Sequence, residues 1–335
     1  MPFLNTDIPE LKGFDTGLCL SNLDVLAMRQ DRVSESVLAI LSELADAIIR
    51  DAAGDPDTVE SILLSLQSIP DGEGDGGEIP HPALERIAPV NREAVARMSA
   101  RSGLYARLLL YAMIEERLPT ELPLKNPPSP LPQTVRGRIA YMPAAFADKA
   151  YLKLAAKVNS PRAAATASFV DACEKVRGGL CEYCILPLES THSGKLTAFT
   201  RLILRYNLQI TAVCDLENAA AEGQITRFAL LKTVSEGCFP APLTSPPAGE
   251  PLYLEFIHRD GSPSLTDLLS AAEFCGMSLC RLDTLPRFDT GDEDPDMPPA
   301  LTCILNVTGG DLPTFRRFLE LEASEDTLIG LYGAV

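Results

Sequence analysis

The sequence predicts a mixed α/β (α+β) protein with a helical N-terminal third, an α/β middle and a C-terminal ferredoxin-like βαββαβ unit. Three observations predict it. Apolar residues recur at three- and four-residue steps through the first 118 positions. Strand-like and helix-like runs alternate after a proline-rich segment. The last 84 residues, 252–335, read in the order of a split βαβ unit. A length of 335 residues exceeds what one ordinary core organises, so two or three domains are expected.

The elements follow from local pattern. From Ser21 to about Arg50 a helix is marked by Val33, Val37, Ile40, Leu41 and Leu44. Asp55 to Gln67 reads as a second helix, with Asp55 as cap and Pro56 at the first position, where its missing N–H costs nothing. The stretch 71–80 is an acidic, Gly-rich loop. A third helix spans about Asn91 to Glu116 and carries Val95, Met98, Leu104, Leu108 and Met113. These make a helical domain over 1–118. The segment 119–136 holds six prolines, which remove donors and fix φ, and is expected to be a semi-rigid linker.

Between 137 and 238 the expected order is strand Arg138–Met142, helix Ala147–Val158, helix Ser168–Arg177, strand Tyr183–Leu188, helix Lys195–Tyr206 and strands Gln209–Cys214 and Thr226–Lys232. A second Pro- and Gly-rich linker covers 239–251. The C-terminal unit, 252–335, reads as strand Leu252–His258, helix Leu265–Cys275, strands Ser278–Leu282 and Leu301–Val307, helix Leu312–Glu322 and strand Thr327–Leu331. An acidic loop, 289–299, divides its second strand from its third.

Composition narrows function. The 46% hydrophobic and 22% charged content is that of a globular chain. A net charge of −17 argues against nucleic acid as a partner, because phosphate binding needs clustered Lys and Arg. No apolar run is long enough for a membrane span, and the opening residues lack a charged-then-apolar leader, so a cytoplasmic protein is expected. Nine cysteines, an odd number over a long chain, do not read as a disulfide framework. Cys181 and Cys184 have CxxC spacing, but they lie in a strand-like run with no second pair, and the chain has three histidines. No metal and no cofactor are expected.

Three segments carry a family resemblance. Residues 168–194, SFVDACEKVRGGLCEYCILPLESTHSG, follow a pattern of an S-F-x-D helix, a Gly turn, a strand ending in P-[IL]-E-[NS]-[ST] and a Ser/Gly-rich helix start. Thr226-Arg227-Phe228 matches a Thr-Arg-Phe motif on a strand, and the C-terminal unit has the order of an ACT domain. In this combination the chain resembles the prephenate dehydratases, over roughly residues 137–335, and the N-terminal helices stand where bifunctional relatives carry a chorismate mutase domain. The resemblance implies a periplasmic-binding-like α/β lobe and conversion of prephenate to phenylpyruvate in phenylalanine biosynthesis. In that reaction the ring hydroxyl and carbon dioxide leave as the ring aromatises, so the departing oxygen needs a proton donor. The resemblance assigns that role to Thr226. It implies that Ser190, Thr191, Ser193 and Arg227 hold the substrate's carboxylates, the first three from a strand end feeding a helix N-terminus, where N–H groups favour an anion. On local chemistry alone the same Ser and Thr residues read as a helix cap, Arg227 as an ion-pair partner and Glu189 as a turn residue.

The sequence also departs from the family pattern. Tyr141 is followed by Met-Pro-Ala-Ala-Phe where the family has a Gly-Pro-x-Gly-[ST]-[FY] loop. Eleven residues, 215–225, stand where the family inserts a second lobe. In the ACT-like unit, Pro263-Ser264-Leu265 stands where the family has Gly-Ala-Leu and Asp283-Thr284-Leu285-Pro286 where it has Glu-Ser-Arg-Pro, so Leu265 and Pro286 survive while the Gly and the Arg do not. Ser264, Leu265, Asp283 and Thr284 are the expected effector contacts, with an aromatic amino acid as the implied ligand and a homodimer through this unit as the implied assembly. In the N-terminal region Ala27 and Leu44 occupy places where mutase arginines belong, while Arg29, Arg32 and Arg50 are out of register. The expectation is a dehydratase with weak or lost activity, or a non-catalytic ACT-domain relative that binds an amino acid.

Overall fold

A computed structural model describes residues 38–39, 41–67, 104–118, 132–217, 223–233, 239–240, 242–243, 250–259, 263–285 and 300–335. The chain divides into two compact units, Met1–Ile114 and Glu115–Val335.

In the first unit residues 41–51 are helical and are followed by a turn in which Ala53 and Gly54 take positive φ. Helix α1 (Pro56–Gln67) starts where expected. Asp55 caps it, accepting from the Thr58 N–H at 3.0 Å, and that bond with the Thr58 hydroxyl holds its carboxyl below the usual range. Helix α2 (Leu104–Arg117) covers the described part of the third expected helix. Leu41, Leu44 and Ile48 from the first helix, Val59 and Ile62 from α1, and Leu108 and Ile114 from α2 are buried, so the three- and four-residue periodicity marks a core. Val33, Val37, Ile40, Val95 and Met98, like most of the two proline-rich segments and the loops at 71–80 and 289–299, lie outside the described residues.

The second unit is built on one ten-stranded sheet. Its elements are β1 (Arg138–Tyr141), α3 (Ala145–Ala155), β2 (Arg162–Ala165), α4 (Phe169–Arg177), β3 (Tyr183–Ser190), β4 (Gly194–Lys195), α5 (Thr197–Arg205), β5 (Leu208–Glu217), β6 (Ile225–Thr233), β7 (Leu252–His258), α6 (Leu265–Phe274), β8 (Ser278–Thr284), β9 (Leu301–Asn306), α7 (Leu312–Glu322) and β10 (Thr327–Ala334). The strand order is β2-β1-β3-β6-β5-β10-β7-β9-β8, with β4 paired to β3. The mixed α/β class matches the expectation. Strands β1, β2 and β3 are parallel and joined by helices, while β7 to β10 take the β10-β7-β9-β8 order of a ferredoxin-like unit. Two elements have no counterpart in the sequence reading: β2, whose Arg-Ala-Ala-Ala lacks β-branched residues, and the two-residue β4.

The segments expected as separate domains, 137–238 and 252–335, share this sheet. Strand β10 runs parallel to β5, pairing Gly330 with Ile210. The approach requires glycine: a Cβ at position 330 would sit 2.5 Å from the Ile210 carbonyl oxygen. Burial follows the seam. Ile203, Ile210, Val213 and Leu231 pack in one cluster with Ile257, Ile329 and Tyr332 from the ferredoxin-like strands. Helices α4 and α5 cover this face of the sheet, and α3 covers the opposite one over Ile139, Ile185, Cys214 and Leu230.

The segment between β5 and β6 closes a hairpin, since the two strands pair antiparallel from Leu208 with Thr233 to Glu217 with Ile225. A second lobe has no place between strands paired to their ends.

Candidate functional site

Ser190, Thr191, Thr226 and Arg227 lie at the paired ends of β3 and β6, and a β-bulge decides which face each occupies. Ile185 pairs with Leu230, Leu186 with Ala229 and Pro187 with Phe228, after which the register shifts so that Glu189 meets Arg227 and Ser190 meets Thr226. Side chains alternate along a strand, so the extra residue, Leu188, transfers every later side chain to the other face. Ser190 and Thr226 therefore share the α3 face with Phe228, and Glu189 and Arg227 share the α4/α5 face.

On the α3 face Ser190 is buried, Thr226 is half-buried and the rings of Phe146 and Phe228 meet edge to face at 5.6 Å. Thr191 has a structural task. Its N–H donates to the Ile225 carbonyl at 2.9 Å. Its hydroxyl oxygen accepts the Ile225 N–H at 3.0 Å and donates to the Gly223 carbonyl at 3.4 Å. The side chain thus latches the turn after β3 onto the start of β6.

The expected helix N-terminus at Ser190–Ser193 is not there. These residues form the turn of a hairpin, because Gly194, at φ +65°, folds the chain back so that Ser190 pairs with Gly194 and Glu189 with Lys195. Helix α5 begins only at Thr197, after Leu196, which gives no side-chain cap. The Ser190 hydroxyl accepts the His192 N–H at 3.3 Å, while Thr191 and Ser193 are exposed. The macrodipole expected to favour an anion at these hydroxyls belongs to residues further along the chain.

The α4/α5 face carries a charge cluster. Asp215 holds one edge of Arg227 with both carboxylate oxygens, which accept from Nε at 2.8 Å (Oδ1) and from Nη2 at 2.9 Å (Oδ2). That bond, more than any other cause, holds its guanidinium above the ordinary arginine value. Arg227 is thus an ion-pair partner, on the face away from Thr226. Lys195 Nζ lies 2.9 Å from Glu255 Oε1, and Tyr332 donates to Glu255 Oε2 at 2.8 Å. Burial first, then the Glu255 charge, pushes the Tyr332 phenol well up. Arg281 donates through Nη1 to Glu189 and sets Nε 2.6 Å from Asp283 Oδ2. These side chains surround a cavity of about 20 Å³, the room of a single water.

Sequence reasoning missed Lys195, Glu255, Arg281, Asp215 and Tyr332, and it read Glu189 as a turn residue. The available signal was a charge inside each of several apolar strands, as Glu255 stands in Leu-Tyr-Leu-Glu-Phe-Ile. Asp283, expected to face an effector, points into this cluster. Its register partner is Thr302, on the strand face opposite that of Thr284 and Leu301. Ser264 caps α6: its hydroxyl accepts the Asp267 N–H at 3.2 Å and donates to the Asp267 carboxylate at 2.8 Å, and Leu265 is the first helical residue. Among the described residues no group of three or more His, Cys, Asp and Glu is placed to hold a metal, and no helix is long and apolar enough to cross a membrane.

No protein-family model matches the sequence, and no curated protein does. Solved structures do. A structure described as GqqA, a novel type of quorum-quenching acylase, is 18% identical with a TM-score of 0.43, covering 59% of this chain and 95% of its own. Prephenate dehydratase from Streptococcus mutans is 14% identical with a TM-score of 0.43, covering 59% of this chain and 98% of its own. Prephenate dehydratase from Arthrobacter aurescens, in complex with L-Phe, is 12% identical with a TM-score of 0.40, covering 58% of this chain and 89% of its own.

Proposed function

We propose that the chain is a prephenate dehydratase-like protein of aromatic amino acid biosynthesis that holds a small carboxylate at the Ser190–Thr226 end of the sheet and dehydrates prephenate slowly or not at all. One observation carries the low activity: Thr226 and Arg227 lie on opposite faces, and Asp215 holds the Nε–Nη2 edge of the Arg227 guanidinium. A proton donor and a carboxylate clamp act together only when both reach one substrate, since orientation accounts for much of a catalysed barrier. Among the described residues, the hairpin that joins β5 to β6 also sets no second wall over Thr226 to exclude water.

The test is phenylpyruvate formation followed by absorbance, on the wild type and on Thr226→Ala, with calorimetric titration of prephenate alongside. Slow or absent turnover with measurable prephenate binding supports the proposal. Brisk wild-type turnover that Thr226→Ala abolishes overturns it.

A second reading makes the ferredoxin-like unit an amino-acid-binding regulatory module that pairs with a second copy. It is favoured by one observation: the start of α6 and the end of β8 lie at the same end of the sheet, because His258 and Thr284 both pair with Leu301. A thermal upshift with phenylalanine or tyrosine supports it; no response to either removes it.

A further inference from the structure

We propose that Arg281, although it belongs to the C-terminal ferredoxin-like unit, is a positioning residue for the Ser190–Thr226 pair, holding the end of β3 in the register that the bulge creates.

Two irregularities must coincide for Arg281 to reach Glu189. Strand β3 carries its extra residue between Pro187 and Glu189. Strand β8 carries one between Leu279 and Arg281, so that Arg281 pairs with Ile304 and Asp283 with Thr302. Each bulge transfers one partner to the α4/α5 face. Regular pairing of β3 would set Glu189 opposite Thr226, beside Phe228 and Phe146, and would move Ser190 to the other face. Regular pairing of β8 would set Arg281 opposite Cys303, under α6 and α7. The Arg281–Glu189 contact joins residues 92 positions apart.

The contact has the properties of a pin. Both side chains are about two-thirds buried, at 35% and 28% exposure. Arg281 is oriented from its other side by Asp283, 2.6 Å from Nε. Glu189 directly precedes Ser190, and its strand neighbours are Arg227 and Lys195. A carboxylate held among three cations opposes the slip that would carry it to the apolar α3 face. Without the guanidinium of Arg281, Glu189 keeps as cationic neighbours Arg227 and Lys195, which are already paired to Asp215 and Glu255, and the bulge keeps its backbone pairing and the Thr191 latch, whose N–H donates to Ile225.

The inference rests on the proposed carboxylate site only for its functional consequence, and the experiment separates the two. Arg281→Ala and Glu189→Ala remove the contact from opposite sides, the second leaving Arg281 beside Asp283. Native-state hydrogen exchange is read at the Thr191 amide, with Ile185 on the same strand as the internal control, and prephenate affinity is measured by calorimetry. The expected result is about tenfold faster exchange at Thr191 in both variants, no change at Ile185, and about tenfold weaker prephenate binding. Arg281→Lys, which keeps the charge, is expected to restore part of the Thr191 protection. Unchanged Thr191 exchange in the folded variants overturns the proposal. So does an equal rise at Thr191 and Ile185, which means a merely structural contact. A local rise at Thr191 in a protein that binds no prephenate upholds the positioning role and removes the carboxylate reading.

Discussion

Ser190 and Thr226 stand opposite one another across β3 and β6, and their chain neighbours Glu189 and Arg227 stand opposite one another on the other face of the same sheet. One extra residue in β3, Leu188, sets which of these pairs takes which face. Ser190 and Thr226 share a face with Phe228, and the charges join a cluster that ties β3 and β6 to the ferredoxin-like strands.

That tie depends first on Gly330. Gly330→Ala is expected to destabilise the protein by roughly 1–3 kcal/mol, the range for overpacking a close contact, because its Cβ would meet the Ile210 carbonyl at 2.5 Å. Urea denaturation followed by far-UV circular dichroism measures it. A variant as stable as wild type would show that β10 and β5 are not held this close.

The second tie is buried charge. Lys195 and Glu255 are 16% and 6% exposed, and Tyr332 donates to the same carboxylate. Glu255→Leu leaves the ammonium without its partner and is expected to cost about 3–5 kcal/mol, while the Glu255→Leu/Lys195→Met double variant recovers most of that loss. Chemical denaturation of the two single variants and the double variant decides it. Losses that simply add would show that the pair is not coupled.

Alkaline pH tests the core thiols. Burial raises Cys214 from 9.0 to about 11, and Cys275 and Cys303 from 9.0 to about 12. A raised folded value means that the unfolded chain loses its proton first, so this stability is complete below pH 9 and is lost as pH climbs toward 11–12. At pH 10 the loss is on the order of 1 kcal/mol per thiol, a few kcal/mol for the three. Urea midpoints at pH 8 and pH 10 should differ accordingly, and less in a Cys275→Ala/Cys303→Ala variant. Equal slopes in variant and wild type would show that these thiols do not set the alkaline limit.

Strand β8 ends the sheet, pairing with β9 on one side among the described residues. It exposes Leu279 at 43% and Leu282 at 40% beside Cys280, the one exposed cysteine among the described residues. An open edge of this kind is a template for another strand. Sedimentation is expected to give a dimer, Leu282→Lys to weaken it, and a short bis-maleimide to join two chains through Cys280. A monomer at high micromolar concentration would rule this interface out.

Much of the secondary structure was legible in the residues. The Ser168 cap and apolar spacing of α4, the Asp55–Pro56 start of α1 and the apolar run of β7 are local signals, and a local rule reads them. The ferredoxin-like order, and the hairpin in place of a second lobe, follow from the succession and length of such segments. By contrast, β2 carries no strand chemistry of its own and exists because β1 pairs with it from Arg138 to Tyr141.

The placement of the candidate residues was half legible. That Ser190, Thr191, Ser193 and Thr226 would lie at one end of the sheet could be read from the motifs. That Arg227 would turn away from Thr226, that Ser190–Ser193 would be a hairpin turn and that Arg281 would reach Glu189 across 92 residues could not. Sequence periodicity says which residues alternate along one strand, but it does not say which residue of the next strand each one faces. A bulge is a relation between two strands, and the burial of Glu255, Lys195 and Arg281 is a relation among three. The chain by itself determined its elements and their order, because propensity, capping and apolar period act within a few residues. Only the tertiary structure decided the faces, because one unpaired residue at Leu188 inverts every side chain beyond it.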